Sequence, residues 1–320
     1  MGQGGEKLGP IWETYVDSLK KTPYPYTFPL LGKQARKKGF DIPLPVGIML
    51  NTYFGSQEMT ISDLSVGVNG GEKIPLDFIK FGEVKAHVTS VTVRPDLWLL
   101  PFLDVYAIAG RTGIKTEVNI NAPVNFSTTA NFSGNTFGVG TTLAGAIHGF
   151  VTIIDFNHTW TNIPEIEGAI QTTMFTPRIG RNFRFPKNPD QNITVWVGAP
   201  GVFLHRGTNG SINLSALKPK GDNQVLQNIL NESETWYQGL DKIQQRVVKT
   251  VAKGFSDKLA GKDFEDTSIA YSLVKEPVSN WSMSVGGQYQ INHIWQLPTE
   301  VGFLGGRKSL LLSGNYRFGW

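Results

Sequence analysis

The chain has 320 residues, 40% hydrophobic and 18% charged, with 36 glycines, no cysteine and a formal net charge of +4. The absence of cysteine excludes disulfide frameworks, thiolate metal sites and cysteine nucleophiles, and no run of about 18 consecutive apolar residues exists to form a membrane-spanning helix. The positive charge is weak, and its densest run is only Lys33-Gln34-Ala35-Arg36-Lys37-Lys38, so no nucleic-acid partner is expected.

Residues 1–43 precede the first strand pattern. Met1 to Lys7 contains no apolar stretch, and the expectation for an exported chain is that its signal peptide has been removed. Between Gly9 and Lys21, Ile11, Tyr15 and Leu19 recur at helical spacing. Thr22-Pro23-Tyr24-Pro25 then ends the helix. Such a segment is expected either to enter or underlie the mouth of the fold that follows, as a plug-like element, or to be a frayed tail.

From residue 44 the chain alternates strand-like runs with turn signals. The runs are 46–57, 59–69, 80–95, 101–120, 135–147, 149–162, 167–185, 192–206, 266–275, 279–292 and 294–304, followed by a terminal run. They amount to about twelve strands. Within 101–120, Leu103, Val105, Ala107 and Ala109 share one face, and further along Thr116, Val118 and Ile120 oppose Lys115, Glu117 and Asn119. Residues 121–134 read as a polar loop, and His148-Gly149 as a tight turn. In 167–185, Phe175, Ile179, Phe183 and Phe185 oppose Arg178, Asn182 and Arg184. The clearest alternation is in 279–292, where Trp281, Met283, Val285, Tyr289 and Ile291 oppose Ser282, Ser284, Gln288, Gln290 and Asn292.

One segment breaks this pattern. From Asp222 to Leu259 the apolar residues fall at helical spacing, with Asp222 as a candidate N-cap and Gly261 as a candidate C-cap. A continuous helix of that length would extend about 55 Å at 1.5 Å per residue, unless Gly239 divides it. Counting strands back from the C-terminus places this insertion on the same side as the terminus.

The final run is Arg307 to Trp320. Its even positions are Leu310, Leu312, Gly314, Tyr316, Phe318 and Trp320, and its odd positions are mostly polar. A strand with one apolar face must bury it or cover it with lipid. This terminal strand resembles the C-terminal strand of bacterial outer-membrane β-barrels. The resemblance implies an all-β fold: an antiparallel transmembrane β-barrel of about twelve strands, with an N-terminal plug-like segment and a long helical insertion. It implies a plug or periplasmic segment at 1–43, a barrel at 44–320 with the insertion at 222–260, and residence in the outer membrane. A mean hydropathy of −0.15 fits such a barrel, because lumen-facing and lipid-facing residues alternate.

On that reading Arg111, Lys115, Glu117, Arg178, Asn182 and Arg184 are candidates for the lumen wall. Cations there favour anions, because a low-dielectric wall concentrates their field. The alternative is a salt-bridge network, including Asp104 and Asp155, that merely fills the interior. Trp281, Tyr316, Phe318 and Trp320 are candidate membrane-interface aromatics, as are Trp98, Tyr106, Trp160 and Trp295. The five histidines form no metal-binding motif, and no serine is linked to one by spacing. No catalytic residue, metal or cofactor is therefore expected. The expected activity is passage of a small solute or a hydrophobic, lipid-like molecule across the outer membrane. The expected partners are outer-membrane lipid, that solute, and a periplasmic protein docking on the helical insertion. A lipid-acting enzyme and an assembly component are the alternatives.

Overall fold

The computed structural model describes residues 10–147, 149–204, 208–220, 222–261 and 267–320. In chain order the helices are α1 (Pro10–Lys21), α2 (Gly32–Lys37), α3 (Asn223–Leu230), α4 (Thr235–Gln238) and α5 (Lys242–Leu259). The strands are β1 (Val46–Val68), β2 (Ile74–Pro75), β3 (Lys80–Leu100), β4 (Leu103–Ala122), β5 (Phe126–Ile147), β6 (Phe150–Asn162), β7 (Ala169–Phe185), β8 (Asn188–Gly198), β9 (Gly201–Leu204), β10 (Thr208–Asn213), β11 (Lys218–Lys220), β12 (Ser268–Pro277), β13 (Met283–Gln290), β14 (Trp295–Phe303) and β15 (Arg307–Phe318).

Ten of these strands close into an antiparallel barrel. The order around the wall is β1, β3, β4, β5, β6, β7, β8, β13, β14, β15 and back to β1. Closure is carried by β1. One edge pairs with β3 over residues 46–59 and the other with β15 over 46–57. The wall therefore has no open edge, which a wall facing hydrocarbon requires.

The barrel has ten strands rather than the twelve expected, for two reasons. Runs 46–57 and 59–69 are a single strand, β1, because the break between them is not a turn. Run 266–275 corresponds to β12, which does not cross the barrel. It pairs with residues 59–68 of β1, beyond the point where β15 ends. A one-residue bulge between Ser62 and Ser65, with Asp63 at φ 53°, bends β1 there. The run expected as a polar loop, 121–134, is largely the first half of β5. His148 lies outside the described residues, as does His205.

The two ends differ. At one end the connections are short: 101–102, 186–187 and 291–294, with the C-terminus beside them. At the other end lie the longer connections 69–79, 163–168 and 199–282 and the hairpin turn 304–306. The helical insertion is therefore at the end opposite the C-terminus. This corrects the strand count made from sequence, which treated β12 as a full crossing. The insertion thus shares its end of the barrel with the longer connections.

The insertion is three helices, not one long one. The stretch 231–234 breaks it after α3, with Glu232 at φ 59°, and Gly239 closes α4. Asp222 caps α3 by accepting from Gln224 N at 2.8 Å. Asp241 and Gln244 form a capping box on α5. Gln227 on α3 reaches Ser256 on α5 at 2.7 Å and Lys249 pairs with Glu232 at 2.6 Å, so α3 and α5 run antiparallel. Their apolar sides, including Leu226, Val247 and Phe255, join Val66, Phe126, Ile212 and Ile269 of the strands in one buried cluster. Phe126 and Phe255 stack with centroids 5.1 Å apart. The helices thus cap the far end of the wall.

The N-terminal segment packs against the short-turn end. Leu30 N donates to Leu99 O at 2.8 Å. In α1 the buried residues are Trp12 and Leu19, while Ile11 is exposed, so the apolar stripe is rotated from the one expected. Among the described residues, this segment contributes Trp12, Asp41, Ile42 and Pro43 to the wall of the interior cavity.

Candidate functional site in the barrel interior

Strand alternation sorts side chains to two faces. In β15, Asn315 is 1% exposed and its neighbour Tyr316 is 42% exposed. Leu312, Tyr316, Phe318 and Trp320 share the outward parity, and Arg307, Ser309, Ser313, Asn315 and Arg317 line the interior. Trp281 also faces outward and packs edge-on with Phe175 and Phe203. Trp295 and Tyr316 pair at 5.0 Å nearer the short-turn end. Trp98 and Tyr106, grouped with the interface aromatics from sequence, instead point inward. Each has the parity of a polar inward neighbour, Asp96 or Asp104.

The interior holds a cavity of about 820 Å³. It runs from Trp12 and Asp41 at the short-turn end to Leu204, Lys275 and Pro277 near the far end. Near the short turns its wall is an ion-pair network. Arg94 donates to Asp104 at 3.1 Å and to Thr142 at 3.0 Å, and lies 3.6 Å from Asp155. Its guanidinium sits 3.4 Å from the centroid of the Tyr106 ring, a cation–π arrangement. The Tyr106 hydroxyl in turn donates to Asp155 at 2.9 Å. Arg317 pairs with Asp96 at 2.9 Å and donates to Leu44 O at 3.0 Å. Towards the far end the wall becomes apolar, with Met59, Val84 and Ala86 buried together and Leu204 packed on them.

Arg178, Asn182 and Arg184 all line this cavity. Arg178 binds Glu300, and Asn182 donates to Asn192 at 2.8 Å and Thr194 at 2.7 Å. Arg184 pairs with Asp41 at 3.0 Å and lies 4.4 Å from the Trp12 ring centroid. Arg111, Lys115 and Glu117 do not line the cavity. They carry the parity of Leu103, Val105 and Ala107 on an unbroken β4–β5 register, which is the outer face. Lys115 pairs with Glu117 at 2.5 Å on that face. The sequence pattern assigned the polar side of 110–120 to the lumen. Instead the outer face of β4 is polar there, and Ile114 and Val118 point inward.

A second cluster fastens the N-terminal segment to the rim. The Tyr15 hydroxyl lies 3.1 Å from His293 Nε2, which is 3.1 Å from Asp190. Burial pushes the Tyr15 phenol up, with Asp41 and Asp190 adding to it. Tyr24 donates to Phe28 O at 2.7 Å, and burial pushes its phenol up to about 12. Both phenols thus remain neutral at neutral pH. Sequence reasoning missed Asp41, Arg94, Glu300 and Arg307, which lie on separate strands or outside the strands. Among the described residues no group of three or more acidic or histidine side chains forms a metal cage.

No protein-family model matches the sequence, and no curated protein matches it. Several solved structures are similar at low identity. The outer-membrane protein OprG from Pseudomonas aeruginosa is 10% identical, with 88% of this chain and 100% of that one covered and a TM-score of 0.37. The β-domain of the Bordetella autotransporter BrkA is 9% identical, with 86% and 100% covered and a TM-score of 0.38. The Ralstonia pickettii toluene transporter TbuX is 8% identical, with 86% and 90% covered and a TM-score of 0.31. A closed antiparallel wall of even strand number, an apolar outward face and a polar, charged interior are the features of outer-membrane barrels. The chain folds as a closed ten-stranded antiparallel β-barrel of the outer-membrane type.

Proposed function

We propose that the barrel passes a small solute with an apolar body across the outer membrane. The supporting observation is the cavity of about 820 Å³, which is bounded by residues from both ends of the barrel. Its apolar stretch around Met59 and Ala86 suits a hydrophobic body, and its polar stretch around Arg94 and Asp155 suits water and charge. On this reading the N-terminal segment acts as a partial plug of the periplasmic mouth through Trp12 and Asp41. The helices α3–α5 form an extracellular cap that must shift for solute to enter. Docking of a partner through the insertion is less favoured, because its apolar side is already packed on Phe126, Ile212 and Ile269.

The test is conductance and solute entry in planar bilayers and liposomes, with the full chain and with Trp12→Ala. Current or uptake that rises in the Trp12→Ala protein supports a plugged passage. A folded barrel that is silent in both forms, for ions and for small aromatic solutes, overturns it.

A further inference from the structure

Among the described residues six cations line the cavity: Arg94, Arg178, Arg184, Lys275, Arg307 and Arg317. Four of them meet a carboxylate. Arg94 has Asp104 and Asp155, Arg178 has Glu300, Arg184 has Asp41 and Arg317 has Asp96. Lys275 and Arg307 do not pair with any carboxylate among the described residues. The Lys275 ammonium donates to the Thr116 hydroxyl at 3.2 Å. Arg307 donates from Nε to Gln57 Oε1 at 2.6 Å and from Nη1 to Ser282 Oγ at 3.3 Å. All three acceptors are neutral.

The strand register brings the two cations to one level. Arg307 is paired with Gln57, Gln57 with Ala86, and Ala86 with Thr116, a single row across β15, β1, β3 and β4. Neighbouring strands are about 4.8 Å apart, so Gln57 and Thr116 stand about 10 Å apart with the small Ala86 between them. Lys275 reaches this row from β12, where it is paired with Ile61. The surrounding wall is the apolar group of Met59, Val84, Ala86 and Leu204. A charge held in such surroundings without a counter-charge is unfavourable. Every other cavity cation has its counter-charge within the chain.

We infer that Lys275 and Arg307 form a binding site for the carboxylate of a small apolar acid, whose hydrocarbon body rests on the Met59–Ala86–Leu204 surface. This rests on the reading of the lumen as a passage, and it narrows the cargo to an amphipathic anion. Neutral hydrocarbons lack the group that these two cations address, and small hydrophilic anions lack the body that the apolar wall accepts.

The experiment is equilibrium binding to the full-length protein in detergent, by calorimetry against protein-free micelles. The probes are 4-phenylbutyrate, its neutral amide 4-phenylbutanamide, and acetate. The expected result is that phenylbutyrate binds at least tenfold more tightly than either of the others. Lys275→Met and Arg307→Gln should each weaken phenylbutyrate about tenfold, the scale of one charge-assisted hydrogen bond, and leave the amide unchanged. Lys275→Arg should restore binding. Heat-dependent mobility on gels checks that each barrel is folded. Should Arg307→Gln fail to fold, Lys275→Met decides alone, since its single bond is to Thr116. Equal binding of acid and amide, or acid binding unaffected by Lys275→Met, overturns the site. Retained acid binding with no entry into liposomes would instead overturn the passage reading and leave the site standing.

Discussion

Arg178 and Glu300, 122 residues apart in sequence, meet across the barrel interior with Nε 2.6 Å from Oε2. The Trp196 indole donates to the same carboxylate oxygen at 2.7 Å. Side-chain exposures are 16% and 11%, so water screens the pair little. Removing one partner leaves the other charge buried, which costs about 3–5 kcal/mol, whereas replacing both with apolar residues is often close to neutral. Glu300→Ala is therefore expected to destabilise the barrel by about that amount, and Arg178→Met combined with Glu300→Leu to recover most of it. Denaturant unfolding in lipid vesicles, followed by tryptophan emission, measures both. A double variant no better than the single one would contradict this account.

Arg184 joins the N-terminal segment to the wall through Asp41 and Trp12. Asp41→Ala leaves the guanidinium with its ring contact alone. The segment should then detach more often while the ten-stranded wall persists. Proteolysis within 10–43 is expected to rise on the order of tenfold, since about 1.4 kcal/mol is a factor of ten in an equilibrium. Mass spectrometry of the fragments reads this directly. Cleavage inside β1 or β15 would mean that the wall itself has loosened.

The helical cap depends on Phe255, stacked on Phe126. Phe255→Ala removes a buried ring and leaves a cavity, at a cost of about 3–5 kcal/mol. Gly254 packs directly on Leu214, so Gly254→Val is expected to lift α5 by overpacking. In both variants hydrogen exchange should accelerate through α3 and α5 and stay slow in β3, β4 and β5. Uniform acceleration in the strands would show that cap and wall unfold as one unit.

The terminal strand was legible because its outward positions from Leu310 to Phe318 are apolar or glycine and its inward ones mostly polar, so period two separates the two faces without interruption. The same logic served Arg178, Asn182 and Arg184 on β7. It failed on β4, whose far half reverses the pattern. There the polar side chains are on the outer face, and Arg111, Lys115 and Glu117 take the parity of Ala107 and Ala109. The sequence marks no boundary at that point. Strand number failed for a related reason. The runs 46–57 and 59–69 are one strand that continues through Glu58, and β12 alternates like a crossing strand although it only extends the wall beyond β15. The unpaired cations Lys275 and Arg307 were illegible from sequence, because knowing that a charge lacks a partner requires the register of four strands.

The orientation of the whole molecule follows from these same positions and can be tested on cells. The chain has no cysteine, so any introduced thiol is the only one. Lys115 lies on the polar part of the outer face, toward the end that carries the helices, and Lys33 is exposed on the segment at the short-turn end. Leu50 faces outward on the apolar part of the wall and is 53% exposed. A membrane-impermeant maleimide is expected to label Lys115→Cys on intact cells and Lys33→Cys only after the outer membrane is opened. Leu50→Cys should resist labelling in both conditions, because lipid covers it. Labelling of Lys33→Cys but not Lys115→Cys on intact cells would invert the orientation and place the α3–α5 cap in the periplasm. Ready labelling of Leu50→Cys in both conditions would mean that the apolar belt is not in lipid.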